Sequence, residues 1–181
     1  MVDGQPFVQP TVHARLDDEL FVHGALANRM FAVLRSGAPL CITVTLLDGL
    51  VLARAAFKHS MNYRSVMILG TARELRDPEA KRRAMGVLVE RVLPGRSATV
   101  RAPNERELAA SVVLSVPISE ASAKVRSGPP IDAEEDFGLP CWAGVLPLAL
   151  AAGAPVPDAH LPAGAPLPQN LRAWSRGRPG S

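Results

Sequence analysis

Between Pro39 and Arg76 the chain is written almost without interruption in residues that favour extended structure. "PLCITVT", "LLDGLVLA" and "NYRSVMILGTARELR" carry Val, Ile, Leu and Thr in short runs, broken by Asp48-Gly49 and by a polar cluster around His59. Asp-Gly between two such runs is a strong signal for a two-residue hairpin turn. The spacing therefore predicts a hairpin turning at Asp48-Gly49 and, with the strand that follows, a meander over residues 39 to 76.

The flanking text supplies the rest of a small barrel. "GQPFVQPTVHARLDDELFVHG" alternates apolar Phe7, Val12, Leu20 and Val22 with polar neighbours around Asp17-Asp18 and reads as a hairpin. "ALANRMFAVLRSG" places Leu26, Met30, Val33 and Leu34 at helical spacing, with Gly37 at the expected stop. Asp77-Pro78 is an N-cap followed by a first-turn proline, and Ala80, Ala84, Leu88 and Val92 line one face of a second helix up to Pro94-Gly95. "APNERELAAS" predicts a brief third helix, and "VVLSVPI" a strand whose Pro117 implies an edge or a bulge. The order hairpin, helix, meander, helix, strand closes a mainly β (β+α) fold, a small antiparallel barrel with short helices packed at its ends.

Beyond Gly128 the text turns Pro and Gly rich, and from about Gly153 it has the composition of a mobile arm. The expected division is one domain over residues 1–150 and a Pro/Gly-rich arm over 151–181. Asp3-Gly4 is also a turn signal, yet only Met1 and Val2 precede it, so the numbering is expected to begin inside the fold with its first strand truncated.

Composition excludes several classes of function. With 48% hydrophobic and 20% charged residues, the chain has the makings of a globular core rather than of disorder. The net charge of +3 rests on arginines interleaved with acids, as in "ARELRDPEAKRR", which is no footprint for nucleic acid. Cys41 and Cys141 stand alone, without the spacing of a zinc site or a disulfide framework. No apolar run reaches the ~18 residues of a membrane span, and no basic-then-apolar leader opens the chain. A soluble, cytoplasmic setting is the expectation.

The residues with the most chemistry are in "FKHSMNYRSVMILG", where His59, Asn62, Tyr63, Arg64 and Ser65 crowd the start of an apolar strand. A second group is "HGALANRM", which reads as a helix start at Gly24 with Arg29 about one turn in. Free N–H groups and the helix dipole there suit a phosphate, while the plain reading is a capped surface helix with a solvated arginine. Lys124 and Arg126 alternate along one strand face, where they would meet an anion or simply protect an edge by charge.

Together "GQPFVQPTVHAR", "LFVHGALANRM", "GAPLCITVTLLDGLVLARAAFKHSMNYRSVMILG" and "ISEASAKVRSGPP" resemble the FMN-binding split β-barrel proteins typified by pyridoxamine 5'-phosphate oxidase. The resemblance covers about residues 2 to 148 and is strongest to the flavin-nucleotide-binding, nitroimidazole-reductase-like branch. It implies FMN laid along the backbone of Pro10, Thr11, Val12 and His13. It implies ribityl and phosphate contacts from Val22, His23, Gly24, Asn28 and Arg29, and contacts to the ring edge from Arg64, Ser65 and Val66. Lys124, from its own strand face, is a further candidate for the phosphate or for an anionic substrate, beside the edge-protecting reading. His59, His23 and Tyr63 are the catalytic candidates, the histidines for a proton relay or a substrate contact and Tyr63 stacked on the ring or packed at a dimer seam. A homodimer with each flavin between two protomers is implied as well.

The activity so implied is electron transfer from NAD(P)H or an organic donor to a small acceptor such as a nitroaromatic, a quinone or oxygen. The alternative is a non-catalytic protein carrying flavin, or holding haem through His59 or His23. The oxidase's own R-x-V-L-L-K run and its C-terminal substrate motif are missing, so a true pyridoxamine phosphate oxidase is not expected.

Overall fold

The structure, a computed structural model, describes residues 4–172 and Trp174. Its chain forms two compact units, one from residues 4–42, 68–121 and 167–172, the other from 43–67 and 122–166 together with Trp174.

In the first unit, β1 (His13–Leu16) and β2 (Glu19–Ala25) form the expected hairpin. Asp17 takes the tight turn at φ 51°, a conformation that Asp tolerates better than most residues. β2 then pairs along its whole length with β6 (Ser111–Pro117), from Glu19 opposite Pro117 to Ala25 opposite Ser111. A short β5 (Arg73–Glu74) adds to the other edge of β6, giving the order β1-β2-β6-β5.

The run "VVLSV" in β6 is buried on both faces, as the continuous apolar text of a central strand requires. One face joins Leu20, Val22, Val112, Leu114 and Val116 to Phe31 and Ile68 in the main core. The other face brings Phe21 and Val113 against Ala84.

Local chemistry explains the helices around this sheet. α1 (Arg29–Arg35) starts at Asn28, whose side-chain oxygen accepts from the N–H of Met30 and of Phe31 at 2.9 and 3.2 Å. It ends at Ser36 and Gly37, the latter at φ 85°. Phe31 is the only residue of α1 that is buried, and it is completely so. α2 (Pro78–Val92) has Asp77 as N-cap, accepting from Ala80 N–H at 2.7 Å, with Pro78 in the first turn and Ala84 and Leu88 inward. α3 (Glu105–Ala110) opens with a reciprocal capping box between Asn104 and Glu107 and buries Leu108.

The second unit is built on β3 (Pro39–Leu52) and β4 (Ser60–Thr71), long strands that enter it from the first. β7 (Glu120–Arg126) and β8 (Gly144–Pro147) complete the order β7-β4-β3-β8. The fold is thus mainly β, two four-stranded sheets with short helices, as the sequence predicts.

Two expectations are corrected. Asp48-Gly49 is no hairpin turn: β3 runs 14 residues straight through it, and the chain reverses instead at a 3₁₀ turn over Ala56–Lys58. Gly49 is there because β8 comes close. A Cβ on it would lie 3.1 Å from both the Leu146 carbonyl oxygen and a Val145 methyl, so the glycine answers a packing demand rather than a turn. Pro117 marks neither an edge strand nor a bulge. It is the last residue of β6, where the ladder is ending and the missing N–H is of little consequence.

After β8 no regular element forms until α4 (Gln169–Arg172), where Asn170 donates to the Pro94 carbonyl at 2.8 Å. Asp3, from the expected first turn, and residues 173 and 175–181 of the arm lie outside the described residues. Among the described residues no helix is long and apolar enough to cross a membrane.

Candidate functional site

The expected cofactor residues fall in both units, and each group has its own geometry. In the first unit, strand alternation divides them. Val22 is 4% exposed within the main core, and β2 is paired on both edges at that residue, to His13 and to Leu114, so its side chain and backbone are both committed. Gly24 is not at a helix start, as the sequence suggested, but inside β2. A Cβ there would lie 2.7 Å from the Phe31 ring, so packing alone demands a glycine. The helix begins five residues later, at Arg29, and Asn28 already takes two of its first N–H groups. Its amide also donates to Gln9 at 3.1 Å.

Arg29, Pro10, Thr11 and Val12 are on the exposed side of this region, the Arg29 guanidinium lying 5.5 Å from the centre of the Phe7 ring. His13 is half-buried. Burial first, and the positive charge of Arg91 second, hold its pKa below the ordinary histidine value.

His23 points elsewhere. Along β2 it follows the parity of Phe21, opposite Val113 in the register, and so belongs to the sheet face that α2 covers. Beside it is a groove of about 310 Å³ with Val12 on the strand side and Met85, Leu88, Val89 and Val92 of α2 on the other. Arg101, Pro103 and Glu107 form the rim. The His23 side chain is solvent-exposed at the groove, and partial desolvation against these walls shifts its pKa below the ordinary value, which favours the neutral ring near pH 7. It makes no hydrogen bond among the described residues.

At the rim Arg101 grips Glu107 with two hydrogen bonds of 2.6 and 2.8 Å, while Glu107 also caps Asn104 N–H at 2.9 Å. These bonds, the Arg101 ones foremost, lower the Glu107 pKa to about 2. The helical wall of the groove was legible as an apolar face. That its far end stays uncovered, with Val92 61% exposed, was not.

In the second unit the polar cluster of β4 turns largely upon itself. Arg64 makes a two-pronged pair with Asp48 at 2.8 and 2.9 Å, which holds the Asp48 carboxyl below the usual carboxylate range. Asn62 is 8% exposed, accepting from Arg126 and donating to the Gly128 carbonyl at 3.1 Å, and so straps β4 to the segment after β7. Ser65 shares a hydrogen bond of 2.9 Å with Thr45. Lys124 lies 6.0 Å from the centre of the Tyr63 ring. Val66 is 38% exposed, and His59 is on the exposed 3₁₀ turn, a ring nitrogen 3.1 Å from the Ala55 carbonyl.

Farther along, Asp132 meets Arg54 through both its N–H and its guanidinium at 3.0 Å. Desolvation raises the Asp132 pKa, but those bonds outweigh it and leave the net shift downward. No group of three or more His, Cys, Asp and Glu side chains among the described residues could hold a metal ion by themselves.

Comparisons with known proteins fit this architecture. The family profile described as pyridoxamine 5'-phosphate oxidase matches residues 1–125. Among solved structures, the chain is similar to the flavocytochrome Anf3 from Azotobacter vinelandii, with 40% identity and a TM-score of 0.90 over 98% of this chain and 82% of that one. It is similar also to an FAD and haem binding protein from Mycobacterium smegmatis, with 40% identity and a TM-score of 0.89 over 94% of this chain and 83% of that one. A protein from Bacteroides thetaiotaomicron assigned to 5-nitroimidazole antibiotic resistance shares the fold at 23% identity, with a TM-score of 0.53 over 67% of this chain and 70% of that one. No curated protein matches the sequence.

Proposed function

The chain belongs to the pyridoxamine 5'-phosphate oxidase family, and from that premise we propose that it is a flavin-binding redox protein of the flavocytochrome kind, working as a homodimer in the cytoplasm. The observation that carries this reading is the likeness at 40% identity, over nearly the whole chain, to two solved proteins described as a flavocytochrome and as an FAD and haem binding protein. The cofactor is the flavin mononucleotide moiety, common to FMN and FAD. When bound, it supplies two-electron exchange with a donor such as NAD(P)H or an organic reductant, and delivery to a small acceptor.

The chain's own part is binding and orientation. Pro10, Thr11 and His13 offer an exposed backbone edge at the entry to β1, and Arg29 offers a planar fork for phosphate at the start of α1. With Asn28 engaged in capping, the arginine carries most of the anion recognition in this segment. His59, at the exposed turn before β4, is the candidate for handling a proton. His23, neutral near pH 7, suits the role of acceptor or ligand better than that of standing acid. The exposed apolar residues Leu46 and Leu47 of β3 and Met61 and Met67 of β4 leave apolar surface on the second unit that suits cover by a second copy of the chain.

An absorption spectrum of the purified protein tests the reading, followed by acid release and chromatography to tell FMN from FAD. Flavin bands that bleach anaerobically with NADH or NADPH support it. A colourless protein that takes up neither flavin overturns it. Arg29→Ala is expected to weaken flavin retention by about 1–3 kcal/mol, the range for losing a charged hydrogen-bond partner.

A further inference from the structure

Ahead of β1, Phe7, Val8 and Gln9 stand between Pro6 and Pro10, in a stretch from 6 to 12 that forms no regular element. Each proline fixes its own φ and biases the residue before it toward extended backbone, so the stretch is stiff without belonging to a sheet. Alternate side chains of extended backbone point to opposite sides. Val8 is 93% exposed, while Phe7 and Gln9 both meet the start of α1. The Phe7 ring centre is 5.5 Å from the Arg29 guanidinium, and Gln9 accepts from the Asn28 amide at 3.1 Å.

Core packing does not account for Phe7. It is 40% exposed and joins neither apolar cluster of the first unit. What it meets is the side chain on which anion recognition in this segment mainly rests. A long, exposed arginine samples many rotamers and gives up that freedom when it grips a phosphate. A ring held against the guanidinium narrows the choice beforehand, and its π face attracts the cation without consuming any of the N–H donors that bond oxygen.

We propose that Phe7 is a positioning residue for the flavin phosphate, its ring holding the Arg29 guanidinium at the start of α1 before the anion arrives. The Gln9–Asn28 hydrogen bond and the two prolines keep the ring in register with the arginine. The proposal rests on the flavin reading above and extends its phosphate contact to a segment outside α1 and β2.

Riboflavin and FMN differ only in the phosphate, so titrating both into the purified full-length protein, stripped of flavin, separates positioning from general loosening. Phe7→Ala is expected to raise the Kd for FMN about two- to fivefold and to leave that for riboflavin unchanged. Phe7→Leu keeps an apolar side chain but lacks the π face, and should behave like the alanine variant. Phe7→Trp should bind FMN at least as well as the parent. In an Arg29→Ala background Phe7→Ala should have no further effect, and denaturation midpoints show whether each variant is folded.

The proposal is overturned if Phe7→Ala leaves FMN affinity unchanged, if it weakens FMN and riboflavin alike, if Phe7→Leu binds FMN like the parent, or if the loss persists without Arg29. In all four cases the flavin reading stands. If Arg29→Ala itself leaves the preference for FMN over riboflavin intact, the phosphate contact is wrong and the role of Phe7 goes with it. A parent protein that binds no flavin removes the underlying reading.

Discussion

The groove beside His23 and the polar start of β4 use the same kinds of side chain in opposite ways. On β4, Arg64 is held by Asp48, Asn62 is held by Arg126 and Gly128, and Ser65 is held by Thr45. Each of these three side chains answers another group within its own unit. In the groove the one polar group on the walls has no such partner, and the surfaces around it are aliphatic. A crowded polar cluster therefore stiffens a strand, whereas an exposed imidazole without a partner in the protein is left to solvent. Density of polar residues in a sequence is a poor guide to a binding site, because it is also what mutual satisfaction looks like.

The strongest way to break this contrast is to remove what the His23 strand rests on. Phe31→Ala takes out a fully buried ring packed within van der Waals reach of Gly24, and should cost about 3–5 kcal/mol in chemical denaturation. A loss below about 1 kcal/mol would mean that the strand is held by something other than this packing. On the β4 side, Asn62→Ala strands the Gly128 carbonyl and an Arg126 donor, and should lower stability by about 1–3 kcal/mol. If flavin chemistry changes while the denaturation midpoint does not, Asn62 is a site residue after all, and the strap interpretation fails.

A smaller effect separates capping from anion binding at α1. Asn28→Asp keeps a cap and adds negative charge, while Asn28→Ala loses about 1 kcal/mol of stability. If Asn28 only caps, flavin affinity should be insensitive to the alanine change.

The smallest effect is at the groove rim. Glu107 has a folded-state pKa of about 2 against an ordinary 4.5, so it contributes stability above pH 4.5 that is progressively lost as pH falls toward 2. Glu107→Gln should flatten the acid limb of a pH–stability curve in that window and leave the neutral region nearly unchanged. An acid limb of unaltered slope would show that the Arg101 pair is not holding the rim.

Elements with local chemistry of their own could be read from the sequence. Asp77-Pro78 starts α2, Asn104 with Glu107 starts α3, and Asp17 turns the first hairpin, because caps and turns are decided within a few residues. Asp48-Gly49 misled for the complementary reason. The dipeptide permits a hairpin turn but does not compel one, and the approach of β8, about a hundred residues away in the chain, decided the matter. Gly24 is the same case: a glycine that looks poised for phosphate is fixed by the ring of Phe31.

The groove was half visible. His23 and Val12 stood out as candidates, but the apolar face of α2 is indistinguishable in sequence from one fully covered by a core. Only three-dimensional packing shows which part of that face stays open.

The segment after β7 holds a consequence of another kind. Residues 127–147 are tied down by Asn62 and Arg126 at one end, by Arg54 to Asp132 in the middle, and by four residues of β8 along β3. Those anchors belong mostly to the receiving strands, Arg54 also lying 5.7 Å from the centre of the Phe137 ring, while the acidic turn at Glu134–Asp136 is closed chiefly by its own backbone hydrogen bonds. Fastened in this way, the segment is a panel laid over the strands. Its fastenings are separable from the acidic turn between them, so changes of charge at Glu134–Asp136 are expected to alter the outer surface and leave the strands beneath unchanged.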